Sequence, residues 1–124
     1  MRKNMNHFIT IAFFVLSTNL FAQDKQDQQD EIVAVWITAE ETKVEIYKEG
    51  NVYLGNPINS EGERNMEIEV LNLEYKEGKW VGKIYSKKRG RLLDVECQVE
   101  SDKLLLEVTA RFISADLEWS RAKS

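Results

Sequence analysis

From Ile32 onward the apolar side chains recur with a period of two, and this constrains the chain more than any other feature. In Leu92–Glu100, for example, Leu93, Val95, Cys97 and Val99 fall on one face, while Asp94, Glu96, Gln98 and Glu100 fall on the other. No helical stripe of useful length competes with this pattern. The alternation predicts strands over 32–38, 43–48, 52–56, 67–75, 79–86, 92–100, 103–111 and 117–121. Turn signals separate them: Glu49-Gly50-Asn51, Glu77-Gly78, Arg89-Gly90 and Ser101-Asp102. Tyr75 to Trp80 reads as a tight hairpin with Gly78 at positive φ. Eight short strands must hide their inner faces. The expected fold is therefore all-β, a small antiparallel up-and-down β-barrel, which also removes the sheet edges. A two-layer β-sandwich is the alternative.

Alternation also assigns the inward side chains: Val44 and Ile46, Val52 and Leu54, Ile68, Val70 and Leu73, then Leu104, Leu106, Val108 and Ala110. The change of phase between Val70 and Leu73 predicts a bulge near Leu71-Asn72. Pro57 to Asn65 reads as an exposed loop, with a turn of helix within Ile58 to Met66.

Ahead of the strands, residues 1–22 have the three parts of a secretory signal peptide. Arg2 and Lys3 are the basic start, Phe8 to Leu16 the apolar run, and Ala22 the small residue before the cut. The apolar run is too short to cross a hydrocarbon core, which takes about 20 helical residues. An exported protein, periplasmic or secreted and not membrane-spanning, is expected, beginning near Gln23. Residues 23–30 carry no apolar side chain and read as a flexible polar tether; residues 31–122 form the single domain.

Composition removes several function classes. Without residues 1–22 the chain has 15 basic and 21 acidic residues, a net charge of −6. That balance argues against nucleic acid as a partner. The single His, His7, leaves with the signal, so a nucleophile paired with an imidazole base is not expected. No enzyme, no catalytic residue, no metal site and no cofactor is expected. An odd Cys in an exported chain can signal an intermolecular disulfide or a reactive thiol, but the alternation turns Cys97 toward the core, as a small hydrophobe.

Three motifs occur in order. Ala34-Val35-Trp36-Ile37-Thr38 precedes Lys43-Val44-Glu45-Ile46-Tyr47; Trp80-Val81-Gly82-Lys83-Ile84-Tyr85 lies in the middle; Lys103 to Val108 and Trp119-Ser120-Arg121 close the chain. Their order resembles DUF2147, a family of exported bacterial proteins built on a domain of unknown function. The likeness covers roughly residues 31–122. Ala34 stands where that family usually has glycine, and Ala110 to Asp116 replaces its Gly-rich last loop, so the chain reads as a divergent, shortened member. The resemblance implies export and fold, and no assigned reaction. A looser likeness to lipocalin-like barrels rests on Trp36 in the first strand and Arg121 at the end of the last. There the pair implies structural closure, an indole under a guanidinium.

Barrel mouths are common small-molecule sites, and Tyr47, Tyr53 and Trp80 are the candidate ligand-binding residues. An eight-stranded barrel has room inside only for side chains or one small ligand, and these strands are short enough to favour a mostly filled interior. Lys87-Lys88-Arg89-Gly90-Arg91 is the one dense basic cluster, and it reads chiefly as a soluble hairpin tip. Glu67 and Glu69 read as a solvated outer face. The expectation is thus a non-catalytic envelope module for a small apolar or amphipathic ligand. The alternative is a structural or protein-interaction accessory factor, whose partner the sequence does not name.

Overall fold

The computed structural model describes residues 28–123. The chain divides into two units, Met1–Asp30 and Glu31–Ser124. The expected signal peptide and most of the expected tether lie outside the described residues; Gln28 and Gln29 are helical, and a 3-10 turn covers Asp30–Ile32. The second unit is a closed barrel of eight antiparallel strands in which every neighbour in sequence is a neighbour in space. The strands are β1 (Ala34–Ile37), β2 (Lys43–Glu49), β3 (Val52–Pro57), β4 (Leu71–Lys76), β5 (Lys79–Ser86), β6 (Arg91–Glu100), β7 (Lys103–Ala110) and β8 (Ile113–Arg121). Closure is made by β1 against β8, through the pairs Trp36↔Arg121 and Ile37↔Ser120. A sandwich has no such pairing, so the barrel stands.

Two-residue turns set four of the hairpins, β2–β3, β4–β5, β6–β7 and β7–β8. Glu77 and Gly78 both take positive φ, 51° and 85°, as a type I′ turn requires, and they hold Lys76 opposite Lys79. The inner faces meet in a core that includes Trp36, Ile46, Leu71, Leu73, Trp80, Cys97, Leu104, Leu106 and Trp119. Among the described residues, the buried core residues lie between Ile32 and Trp119.

Three details differ from the sequence reading. Residues Val52 to Leu54 are apolar in succession, so alternation could not fix the phase there, and the expectation that Val52 and Leu54 face inward is reversed. The inward pair is Tyr53 and Gly55, with Val52 and Leu54 half-buried on the outside. The fourth strand starts at Leu71, not Glu67, and its inward residues are Leu71 and Leu73. Residues ahead of it bond elsewhere: the Asn56 side chain takes the carbonyls of Asn65 and Ile68, and Ile68 is 43% exposed. The eighth strand starts at Ile113, four residues before the expected Leu117. Arg111 adopts φ 58° and closes a two-residue turn with Phe112, a conformation that side-chain chemistry does not advertise in a bulky residue.

The barrel is lopsided. Strands β5 to β8 have 8, 10, 8 and 9 residues, whereas β1 to β4 have 4, 7, 6 and 6. Because β1 ends at Ile37, opposite Ser120, the β8 segment 113–119 runs on past it with no strand on that side.

Candidate functional site

At the closing seam, the Trp36 indole Nε1 donates to the Ile32 carbonyl at 2.9 Å, and the ring is fully buried. The Arg121 guanidinium carbon lies 4.5 Å from the Trp36 ring centroid. The same guanidinium donates to the Ser101 carbonyl at 3.2 Å, and Arg121 N donates to the Asp102 carbonyl at 2.7 Å. The two residues expected to close the barrel are thus in contact, and the β6–β7 turn fixes the arginine from its other side.

The three aromatic candidates do not come together. Tyr53 and Trp80 point into the barrel and are 1% and 3% exposed. Trp80 packs edge-on against Tyr75, ring centroids 5.1 Å apart, and the Lys48 ammonium lies 5.6 Å from the Tyr53 ring centroid. Tyr47 is on the outer face. Its hydroxyl donates to Asn56 Oδ1 at 2.6 Å, and Asn56 Nδ2 donates to Asn65 O and Ile68 O at 3.2 and 2.7 Å. The Arg64 guanidinium carbon stands 3.6 Å from the Tyr47 ring centroid, and Arg64 Nε donates to Glu45 Oε1 at 2.7 Å. That carboxylate holds the Arg64 pKa above its ordinary value. These contacts pin the long β3–β4 connection onto β2 and β3. Asn56, the one buried polar residue among those described, could not be found by alternation, because its partners are the Tyr47 hydroxyl and backbone carbonyls nine and twelve residues away.

Two cavities lie outside the barrel wall. One, of about 340 Å³, runs along β4 and β5 between Asn72, Glu74, Val81, Lys83 and Leu92. The other, of about 500 Å³, lies in the β3–β4 connection beside Pro57, Asn59 and Arg64. Glu67 and Glu69 are exposed in that connection rather than on a strand. Glu63 has its pKa lowered by the hydrogen bond from Asn59 Nδ2 to its carboxylate. Among the described residues no group of three or more His, Cys, Asp and Glu side chains is placed to hold a metal ion, and no helix is long and apolar enough to cross a membrane.

At one end of the barrel β8 extends beyond β1 and leaves apolar side chains uncovered. Ile113, Ala115 and Leu117 pair with Ala110, Val108 and Leu106, so they carry the inward phase of β8. Ile113 and Leu117 are nonetheless 65% and 40% exposed, because β1 does not reach them. Phe112, at the tip, is fully exposed. Their alternation was visible in the sequence, but the stretch before Leu117 read as loop.

These features define a small antiparallel barrel with a packed interior, one closed seam and an exposed apolar row at the start of β8. No protein-family model matches the chain, and the searches of curated proteins and of solved structures found no significant match.

Proposed function

We propose that this protein is an exported, non-catalytic binding module of the cell envelope that receives an apolar or amphipathic small molecule at the end of its barrel where β8 extends beyond β1. One observation carries this reading: the inward phase of β8, Ile113, Ala115 and Leu117, is apolar yet exposed at the mouth. Apolar surface gains about 25 cal/mol per Å² on leaving water, so an exposed apolar row attracts an apolar body. The packed interior favours a ligand held across the mouth rather than deep inside; Tyr53 and Trp80 begin β3 and β5, at the opposite end of the barrel from the start of β8. The likeness to the exported DUF2147 family and the tripartite start of the chain support the envelope setting.

The test is mass spectrometry of small molecules extracted from the protein purified from its native envelope, with Leu117→Gln as comparison. A reproducible apolar compound, depleted in the variant, is expected. No copurifying compound, together with no uptake of an apolar fluorescent probe, overturns the reading.

A second reading, an accessory factor that docks through a strand edge, draws on β8 as well. Ala122 N bonds to Val35 on the β1 side, and Arg121 N bonds to Asp102 on the β7 side. By that alternation the backbones of Ser114, Asp116 and Glu118 face the side without a strand, a template for a pairing chain. Envelope crosslinking that returns one protein partner through β8, and no small molecule, would favour it.

A further inference from the structure

We propose that the β5–β6 and β7–β8 hairpin tips form a docking surface for an anionic lipid bilayer. The β6–β7 ladder ends at Asp94↔Thr109, two residues from Leu92 on β6 and two from Arg111 in the β7–β8 turn, so the start of β6 and the β7–β8 tip lie at the same end of the barrel. One tip carries Lys87, Lys88, Arg89 and Arg91, the other Arg111, and all five are exposed. Among the described residues none of the five enters an ion pair. Apolar side chains stand among them: Phe112 is 100% exposed and Leu92 57%.

Solubility alone does not account for this combination. A basic tip needs no phenylalanine in water. The turn itself would be better served by glycine or asparagine than by Arg111 at φ 58°. Cationic side chains around a protruding aromatic fit a bilayer surface, where the ring enters the interface and the charges meet anionic head groups. A free anionic polymer offers the charge and no place for Phe112.

Charge also sets the orientation. At the same end, the β1–β2 turn carries Glu40 and Glu41, and the β3–β4 connection carries Glu61, Glu63, Glu67 and Glu69 against the single Arg64. An anionic surface repels that side and attracts the other, so the barrel meets the bilayer tilted onto β5–β8. Asp94, the nearest acid on β6, is engaged by Lys83, and Asp116 lies further down β8. The proposal goes beyond the ligand reading and stands without it, since the tips are the same whether or not the mouth is filled.

The experiment is flotation of the chain from Gln23 onward, which keeps every described residue, with vesicles of phosphatidylglycerol and phosphatidylcholine and with vesicles of phosphatidylcholine alone. Binding to the anionic vesicles, weakening as salt is raised, is expected. Each basic residue near the surface contributes roughly fivefold, so Lys87→Ala with Lys88→Ala should weaken binding about 25-fold. Phe112→Ser should weaken it about tenfold, the loss of a partly inserted ring. All three positions are exposed, so circular dichroism should be unchanged. Equal binding to neutral vesicles, or unchanged binding by the variants, overturns the proposal. Retention on a polyphosphate resin without vesicle flotation overturns it in favour of an anionic polymer. Flotation that persists when no copurifying ligand is found leaves the docking surface in place and removes only the ligand reading.

Discussion

Cys97 shows how one side chain's chemistry follows from strand phase. It lies in β6, paired with Trp80 and Leu106, and has no exposed surface. Burial pushes its thiol from the ordinary 9.0 up to about 12, because a thiolate would lose its water. The thiol is therefore structural and unreactive in the folded chain. In the unfolded chain it ionises first, so rising pH favours unfolding. The stability is complete below pH 9 and declines between 9 and 12 by about 1.4 kcal/mol per unit, up to about 4 kcal/mol. Urea midpoints for the wild type and Cys97→Val, measured from pH 7 to pH 11, should converge or cross as the wild type alone suffers this loss. Parallel pH profiles would show that the thiol is hydrated. Alternation placed this residue correctly because β6 is cleanly apolar on one side. It gave nothing for Asn56, whose burial depends on a connection folded over the outer face.

Between elements, the closest approach is at Gly82, where β5 meets β4. A Cβ built there would stand 2.0 Å from the Asn72 carbonyl oxygen and 3.0 Å from Leu73 Cα, both backbone atoms that cannot swing aside. Gly55 is different. Its Cβ would meet Leu71 and Val44 side-chain atoms at 3.1 to 3.3 Å, which can yield by a few tenths of an ångström. Gly55→Ala should cost about 1–3 kcal/mol, and Gly82→Ala more than that, since the β4–β5 ladder must part. Thermal or urea unfolding of the two variants checks the order, and equal losses would contradict the close approach. The element boundaries were legible in the same uneven way. The ends of β5 to β7 were readable to within one residue because Gly, Ser and Asp mark their turns. The starts of β4 and β8 were not, since one depends on where Asn56 bonds and the other on an arginine at positive φ. The mouth residues Ile113 and Phe112 were missed with the start of β8. The candidate aromatics do not share a face, since phase puts Tyr47 on the other side of the wall from Tyr53 and Trp80.

At the scale of the whole molecule, an up-and-down barrel depends on one long-range event, the meeting of its first and last strands, with Trp36 and Arg121 far apart in sequence. Every other ladder is a local hairpin that can form early, so closure is the step with the largest loop-entropy cost. It rests on two residue pairs, which makes side-chain contacts at the seam count for more than they would in a longer ladder. Trp36 is fully buried, and Arg121 covers its ring while also bonding the β6–β7 turn. Arg121→Ala should cost about 1–2 kcal/mol through lost packing and cation–π contact. Trp36→Ala should cost about 3–5 kcal/mol, as for other buried aromatics. Because the two side chains touch, the double variant should be less destabilised than the sum of the singles, by about 0.5–1.5 kcal/mol. Arg121→Lys should recover only part of the coupling, since an ammonium cannot lie flat on an indole. If the single losses add strictly, the arginine does not act through the tryptophan, and the seam must be held by its backbone pairs alone.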